Sequence, residues 1–296
     1  MKKIAILLLL LCFSSSMLFA KSGAKAKTTD VLKSDGLHFG IGAAMGFKSP
    51  LLAAGSDGKF SYNEEFGAKL KAFNIDDCIF GLPFQFEWVW SKKSGFGLGI
   101  KLDLDTFYLL TGNYSQLTAD LKSLIESIGN GEKASTDDYD VEHGFRVDLT
   151  PKLAIQYKFF QFSFGAGLTM SMNANQTAEG VSSLKNGDKE QIDKGLVRIG
   201  LDPLTHTHIV DKASFNENLN NWQKIAFYGL ELDTHFKMST DFLLGKHVVV
   251  GADFLIRFHS EMAKWDNSRE AKENFAAVFS PEKFEGTLGF HFIWMF

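Results

Sequence analysis

The chain has 296 residues, with 35 acidic against 31 basic side chains, a formal net charge of −4 and 29 phenylalanines. A mildly acidic chain argues against nucleic acid or acidic lipid as the main partner, because both are polyanions. Past the first twenty residues only Cys78 remains of its two cysteines, so no internal disulfide can staple the fold.

Residues 1–20 combine Lys2 and Lys3, an apolar core from Ile4 to Cys12 and a Ser-rich stretch ending at Ala20, the pattern of an export signal. They are too short and too early for a spanning helix. Cys12 lies inside the apolar run behind Leu11, where lipid attachment wants a small residue. Residues 21–35, rich in Lys, Ala, Ser and Thr without apolar period, are predicted to be a disordered periplasmic leader. The rest, 36–296, reads as one domain. It holds no second apolar run near eighteen residues, so it crosses a membrane as strands or not at all.

Period-two alternation then recurs along the chain. Leu37, Phe39, Ile41, Met45 and Phe47 oppose His38, Gly40, Gly42 and Gly46. Leu82, Phe84, Phe86, Trp88 and Trp90 lead through a turn at 91–95 into Phe96, Leu98, Ile100, Leu102 and Leu104, opposed by Gln85, Glu87, Lys101, Asp103 and Asp105. A run from Val141 to Phe159 puts Phe145, Leu149, Leu153 and Ile155 on one face, with a bulge expected at Pro151. Phe162 to Met172 follows after a short turn. Ala226 to Phe236 and Val248 to Phe258 form the next pair, with a turn expected around 239–246. In the last run Phe284, Leu288, Phe290, Phe292, Trp294 and Phe296 share one face.

That makes eight strands, joined alternately by tight turns and by connections of about 34, 30, 50 and 20 residues. Short turns at one end and long loops at the other are the asymmetry of an outer-membrane barrel, and an even count puts both termini on the periplasmic side. The predicted fold is all-β: an eight-stranded antiparallel up-and-down transmembrane β-barrel with long extracellular loops. Ten strands result if Phe60 to Phe73 or part of 173–222 adds a hairpin. A soluble lipocalin-like or avidin-like barrel would need all those Phe and Trp rings inside a lumen only wide enough for ordinary side chains.

The signal, the eight runs and the ending F-H-F-I-W-M-F resemble the small eight-stranded outer-membrane β-barrels of bacteria, the OmpW-like and OmpX-like proteins. The segments DLTPKLAIQYKFF and FSFGAGLTM look like the OmpW central hairpin, although these loops are longer than in either group. The resemblance implies outer-membrane lipid and the barrel-assembly machinery as partners, with Phe290, Phe292, Trp294 and Phe296 as the assembly signal. It also implies a narrow channel passing small or apolar solutes.

By parity, the lumen should collect Glu87, Asp103, Asp105, Asp148, Glu231, Asp233, Asp253 and Glu285 against Lys101, Arg146, Lys158, Lys237 and Arg257, with His38, His235, His259 and His291 among them. The polar network expected to matter is Glu87, Lys101, Asp103, Arg146, Asp148, Glu231, Asp233, Asp253 and Arg257. Buried charges persist only when paired, so a salt-bridged plug competes with the channel. In that case the protein acts as a surface adhesion or interaction protein, with a host ligand as partner. Lipid-modifying chemistry ranks third. His259-Ser260-Glu261 offers the right residue types, but neighbours on a strand point to opposite faces, so no enzyme activity is expected. No cofactor or metal is expected either; His206 and His208 form an H-x-H in a polar loop, which is usually just solvated. Leu117, Leu121, Leu124, Ile125 and Ile128 predict a helix in the second loop, with weaker helical patterns over 63–73 and 271–279.

Overall fold

The structure, a computed structural model, describes residues 35–54, 60–91, 95–111, 122, 142–205, 209–245, 247–261, 264–266, 268–278 and 284–296. The signal, the leader apart from Asp35, the helical pattern at 117–128 (apart from Lys122) and the H-x-H lie outside those residues.

Ten strands are described: β1 (Gly36–Phe47), β2 (Leu52–Ala54), β3 (Phe60–Tyr62), β4 (Cys78–Ser91), β5 (Phe96–Thr111), β6 (Glu142–Tyr157), β7 (Phe160–Asn173), β8 (Leu230–Leu244), β9 (Val248–Phe258) and β10 (Phe284–Met295). Eight of them, β1 and β4 to β10, pair antiparallel in sequence order, and β10 closes onto β1 from Gly40↔Met295 to Gly46↔Gly289. The wall is therefore a closed eight-stranded barrel without edges. The hairpin β2–β3 is an appendage: it pairs with β10 at Glu285↔Ala53 and Gly286↔Leu52, above the point where β1 has ended. The termini and tight turns mark the lower end, the long connections the upper.

Period-two alternation sorts the two faces as expected. Outward positions such as Leu37, Leu82, Trp88, Trp90, Ile100, Phe145, Leu153, Met170, Phe292 and Trp294 are exposed, while inward Glu87, Lys101, Asp148, Asp233 and Asp241 are buried. Aromatic rings gather near both ends. Phe39 and Phe296 stack at the lower rim, as do His247 and Trp294. Tyr108 meets Phe145 edge-on at the upper one.

Three local expectations need correction. No bulge occurs at Pro151. The β5–β6 register runs unbroken from Thr111↔Glu142 to Phe96↔Tyr157, with Pro151 opposite Leu102. Pairing with β7 skips Thr150 and Pro151 without inserting a residue, so the missing N–H costs a ladder bond and no change of face. Gly165 lets the strands meet there: a Cβ on it would stand 1.9 Å from the Pro151 carbonyl oxygen.

The turn expected around 239–246 is strand as far as Leu244, and the reversal falls at Gly245, whose φ is +77°. Finally, Ala226 belongs to a helix and Tyr228 to its end; neither is strand, and β8 starts after Gly229.

The connection from β7 to β8 is a helical crown: α2 (Ala174–Asn186), α3 (Lys189–Arg198), α4 (Lys212–Asn218) and α5 (Asn221–Phe227). Its caps are written in the sequence. Asn173, Asp188 and Asp211 each accept from a backbone N–H in the first turn of the helix they start, and Asn220 forms a capping box with Gln223. Gly187, with φ +68°, ends α2.

The helices enclose their own core of Leu184, Ile192, Leu196, Ile199, Ile209, Phe215, Leu219 and Phe227. Burying each large side chain stabilises this unit by about 1.5–3 kcal/mol. The Phe227 ring lies against Gly195, where an added Cβ would come within 2.4 Å of it.

Two shorter helices complete the upper end. One, α1 (Glu64–Lys71), matches the pattern at 63–73 and is capped by Asn63; the other, α6 (Ala271–Val278), matches the pattern at 271–279. The crown is tied to the fourth connection, where Trp222 and Trp265 rings lie 6.2 Å apart and Asn220 Nδ2 donates to the Trp265 carbonyl at 2.7 Å.

Candidate functional site

An eight-stranded barrel has an interior that side chains can fill, and here they do so in tiers. The lowest tier is apolar: Leu243, Val249, Ile293 and Met295 form a buried floor. The alternation puts Val249, Ile293 and Met295 inside, whereas Leu243 falls in the stretch expected to be a turn.

Directly above, Lys101 Nζ reaches Asp241 Oδ2 at 2.6 Å, both side chains fully buried. Lys101 also donates to Gln161 at 3.4 Å, and Gln161 donates in turn to Glu87. His291 lies between two carboxylates, its Nε2 3.0 Å from Asp241 and its Nδ1 2.8 Å from Asp253. Nδ1 is hydrogen-bonded to Asp253, whereas Nε2 faces Asp241 Oδ1 at an angle too poor for a hydrogen bond. Gly251 makes this arrangement fit: a Cβ there would lie 2.4 Å from both Asp241 Oδ1 and His291 Nε2.

In the middle tier Asp103 is shared. Lys152 pairs with it, Lys237 approaches at 3.1 Å, and Gln85 donates to its other oxygen at 3.2 Å. Lys237 further binds Asp105 at 2.5 Å and reaches Asp253 at 3.5 Å, while Lys152 donates to Ser239 at 2.8 Å.

Beside it runs a chain of neutral donors. Thr169 Oγ1 donates to Asp148 at 2.7 Å, so at His235 Nδ1, 2.8 Å away, it must accept; His235 Nε2 then accepts from Thr150 at 2.7 Å. A neutral imidazole protonated on Nδ1 satisfies every link. Arg146 lies 3.2 Å from Asp148 through Nε, at an angle too poor for a hydrogen bond, and its guanidinium sits 4.5 Å above the Phe107 ring.

The upper rim closes with Arg257, which pairs with Glu285 and lies 3.7 Å from Asp233. His259, just beyond the end of β9, stands 3.3 Å from Asp233 and 3.6 Å from Glu285. Those two carboxylates, Asp233 first, raise its pKa to about 9, against the opposing pull of burial. Ser260 turns the other way: its N–H donates to Asp233 Oδ1 at 2.8 Å and its hydroxyl to the Leu232 carbonyl. Hydroxyl and imidazole do not meet.

Of the nine lumen residues expected from sequence, eight fall within these tiers: Glu87, Lys101, Asp103, Arg146, Asp148, Asp233, Asp253 and Arg257. Glu231 does not join them. It stands exposed at the mouth, with a long 3.4 Å bond from Ser171. Lys158, expected inside, occupies the two-residue β6–β7 turn in a left-handed conformation (φ 54°), exposed and over the Tyr157 ring.

Sequence reasoning missed Lys152 and Asp241, each the principal partner of a residue it did find. Lys152 shares the parity of Arg146, Asp148 and Gln156 yet is absent from the expected network. Asp241 falls in the stretch expected to be a turn; carrying the alternation through 239–244 would have shown it.

Apolar side chains face outward around a closed antiparallel wall, and paired charges fill the inside. The architecture is that of a small outer-membrane β-barrel. No protein-family model matches the chain, and no curated protein matches it in sequence.

Among solved structures, the barrel is similar to Ail, the attachment invasion locus protein of Yersinia pestis, at 9% identity and a TM-score of 0.34, over 89% of this chain and 100% of that one. It is similar to outer membrane protein OprG from Pseudomonas aeruginosa at 10% identity and a TM-score of 0.28, over 90% and 98%. It is also similar to the outer membrane enzyme PagL at 9% identity and a TM-score of 0.26, over 86% and 97%.

Proposed function

We propose that the chain is an outer-membrane protein whose barrel is a closed anchor, and that its activity is surface interaction through the structured upper end. The observation that carries this reading is the filled lumen: ion pairs and hydrogen bonds link β4 to β10 across the interior above an apolar floor. A channel would need these pairs to open together, and separating a buried pair costs about 3–5 kcal/mol.

In this reading the termini face the periplasm, the crown and its neighbouring helices face the exterior, and outer-membrane lipid contacts the apolar belt. Phe290, Phe292, Trp294 and Phe296 lie on the outward face of β10 beside the β1 seam, where the barrel-assembly machinery would meet the closing strand. The orientation of Ser260 away from His259 favours a binding role over acyl transfer at that pair.

The test is conductance of the purified barrel in planar bilayers. The expected result is silence; reproducible discrete steps, absent from an unfolded control, would overturn the closed-lumen reading.

A further inference from the structure

Above the ion network, at the upper mouth between β6, β7 and β8 and beneath α2, lies a cavity of about 220 Å³ that the closed-lumen reading does not use. Water occupies about 30 Å³ per molecule in the liquid, so this space suits a compound of a few heavy atoms. Leu109 supplies apolar wall and Met172 its backbone; Ser171, Gln176 and Glu231 supply polar groups.

Two glycines form tightly packed parts of its wall. A Cβ on Gly144 would lie 2.8 Å from the Met172 carbonyl oxygen, and one on Gly229, where φ is +75°, would lie 2.8 Å from Gln176 Oε1.

Glu231 is the charged side chain among the described lining residues. Its Oε2 receives the long Ser171 bond, and the residue is exposed. Arg198 is acted on by the charges of Glu179 and Glu231, but its guanidinium donates to the Phe227 carbonyl and does not line the cavity. One carboxylate with neutral oxygens beside it repels anions, and it falls short of the six to eight oxygens that calcium takes. It does suit an ammonium group, which brings three donors and one positive charge.

We propose that this cavity binds a small primary alkylammonium, its charged end on Glu231 with Ser171 and Gln176 as further acceptors, and its alkyl part on Leu109.

The experiment is calorimetric titration of n-butylammonium chloride into the full chain in detergent micelles, with empty micelles subtracted. Saturable binding is expected. Glu231→Gln should weaken it about tenfold or more, the loss of one charge-assisted hydrogen bond. Leu109→Trp, which fills the cavity and leaves the charge, should remove it; Glu179→Gln, outside the cavity, should not change it. Neutral n-butanol should not bind.

Absence of saturable heat from folded protein, equal binding by Glu231→Gln, or equal binding of n-butanol would overturn the proposal. Because it stands on the cavity alone, its failure would leave the conductance test of the closed lumen untouched.

Discussion

The barrel and the crown bury opposite things. In the barrel the apolar side chains point out and the charges point in; in the crown, only a few residues further along the chain, Leu196, Ile209 and Phe227 point in and the charged residues point out. Each arrangement follows from what surrounds it. With lipid around the wall, as proposed, there is no gain in hiding Phe and Trp, and the backbone ladder already satisfies every strand. In water, four short helices hold together only by enclosing an apolar core.

The two regions also differ in reach. The Lys101–Asp241 hydrogen bond joins residues 140 apart in sequence, whereas the crown core is gathered from Leu184 to Phe227. The barrel interior should therefore fail globally and the crown locally.

Four experiments would break or sharpen that contrast. The largest effect is expected at the closing strand. Replacing Trp294 and Phe296 together with Asp puts two charges on the lipid face beside the β1 seam and should abolish assembly; a normal heat-modifiable band for this variant would refute the assignment of that face.

Next, Asp241→Asn leaves Lys101 buried without its 2.6 Å counter-charge and His291 with Asp253 alone, and should destabilise the barrel by about 3–5 kcal/mol. The double replacement Lys101→Met with Asp241→Leu should recover most of that loss. Urea midpoints of the folded barrel measure both, and equal losses in the single and double variants would show that packing rather than charge holds the lumen.

Third, Phe227→Ala should cost the crown about 3–5 kcal/mol, yet leave the barrel midpoint unchanged. Limited proteolysis would then cut within 174–228 first, and a matching fall in the barrel midpoint would mean that the two regions are one cooperative unit.

The smallest effect concerns the rim between them. His259, faced by Asp233, Glu285 and Arg257, has its pKa raised in the folded state from 6.5 to about 9. Its contribution is thus complete below about 6.5 and is lost as pH rises through about 9. Wild-type stability should decline across that window more steeply than that of His259→Gln, and parallel pH profiles would remove the histidine from the account.

Much of this was legible from the chain. Alternation sets the face of each residue, because successive side chains on a strand point to opposite sides. Glu87, Lys101, Asp103 and Asp148 were therefore assignable to the interior from spacing alone. Partnership was not. Whether Lys101 meets Asp241 or Asp253 depends on strand register and tilt around a closed wall, which the period-two pattern does not encode. At Pro151 a local signal suggests a bulge, yet the alternation holds on both sides of it and the strand continues unbroken.

The crown was the other blind spot. Its helices are short and carry small apolar faces, so the pattern registered only as a long connection, although the caps at Asn173, Asp188 and Asn220 were visible signals.

By itself, then, the sequence determined the strand count of the barrel, which face of each strand is apolar, and the end that carries the long connections, because these depend only on neighbours along the chain. Only the tertiary structure decided that the charges interlock across the lumen, that Glu231 stands apart from them at a cavity, and that the third connection folds around a core of its own. Those outcomes depend on distances between residues far apart in sequence, and closure of the barrel is what fixes such distances.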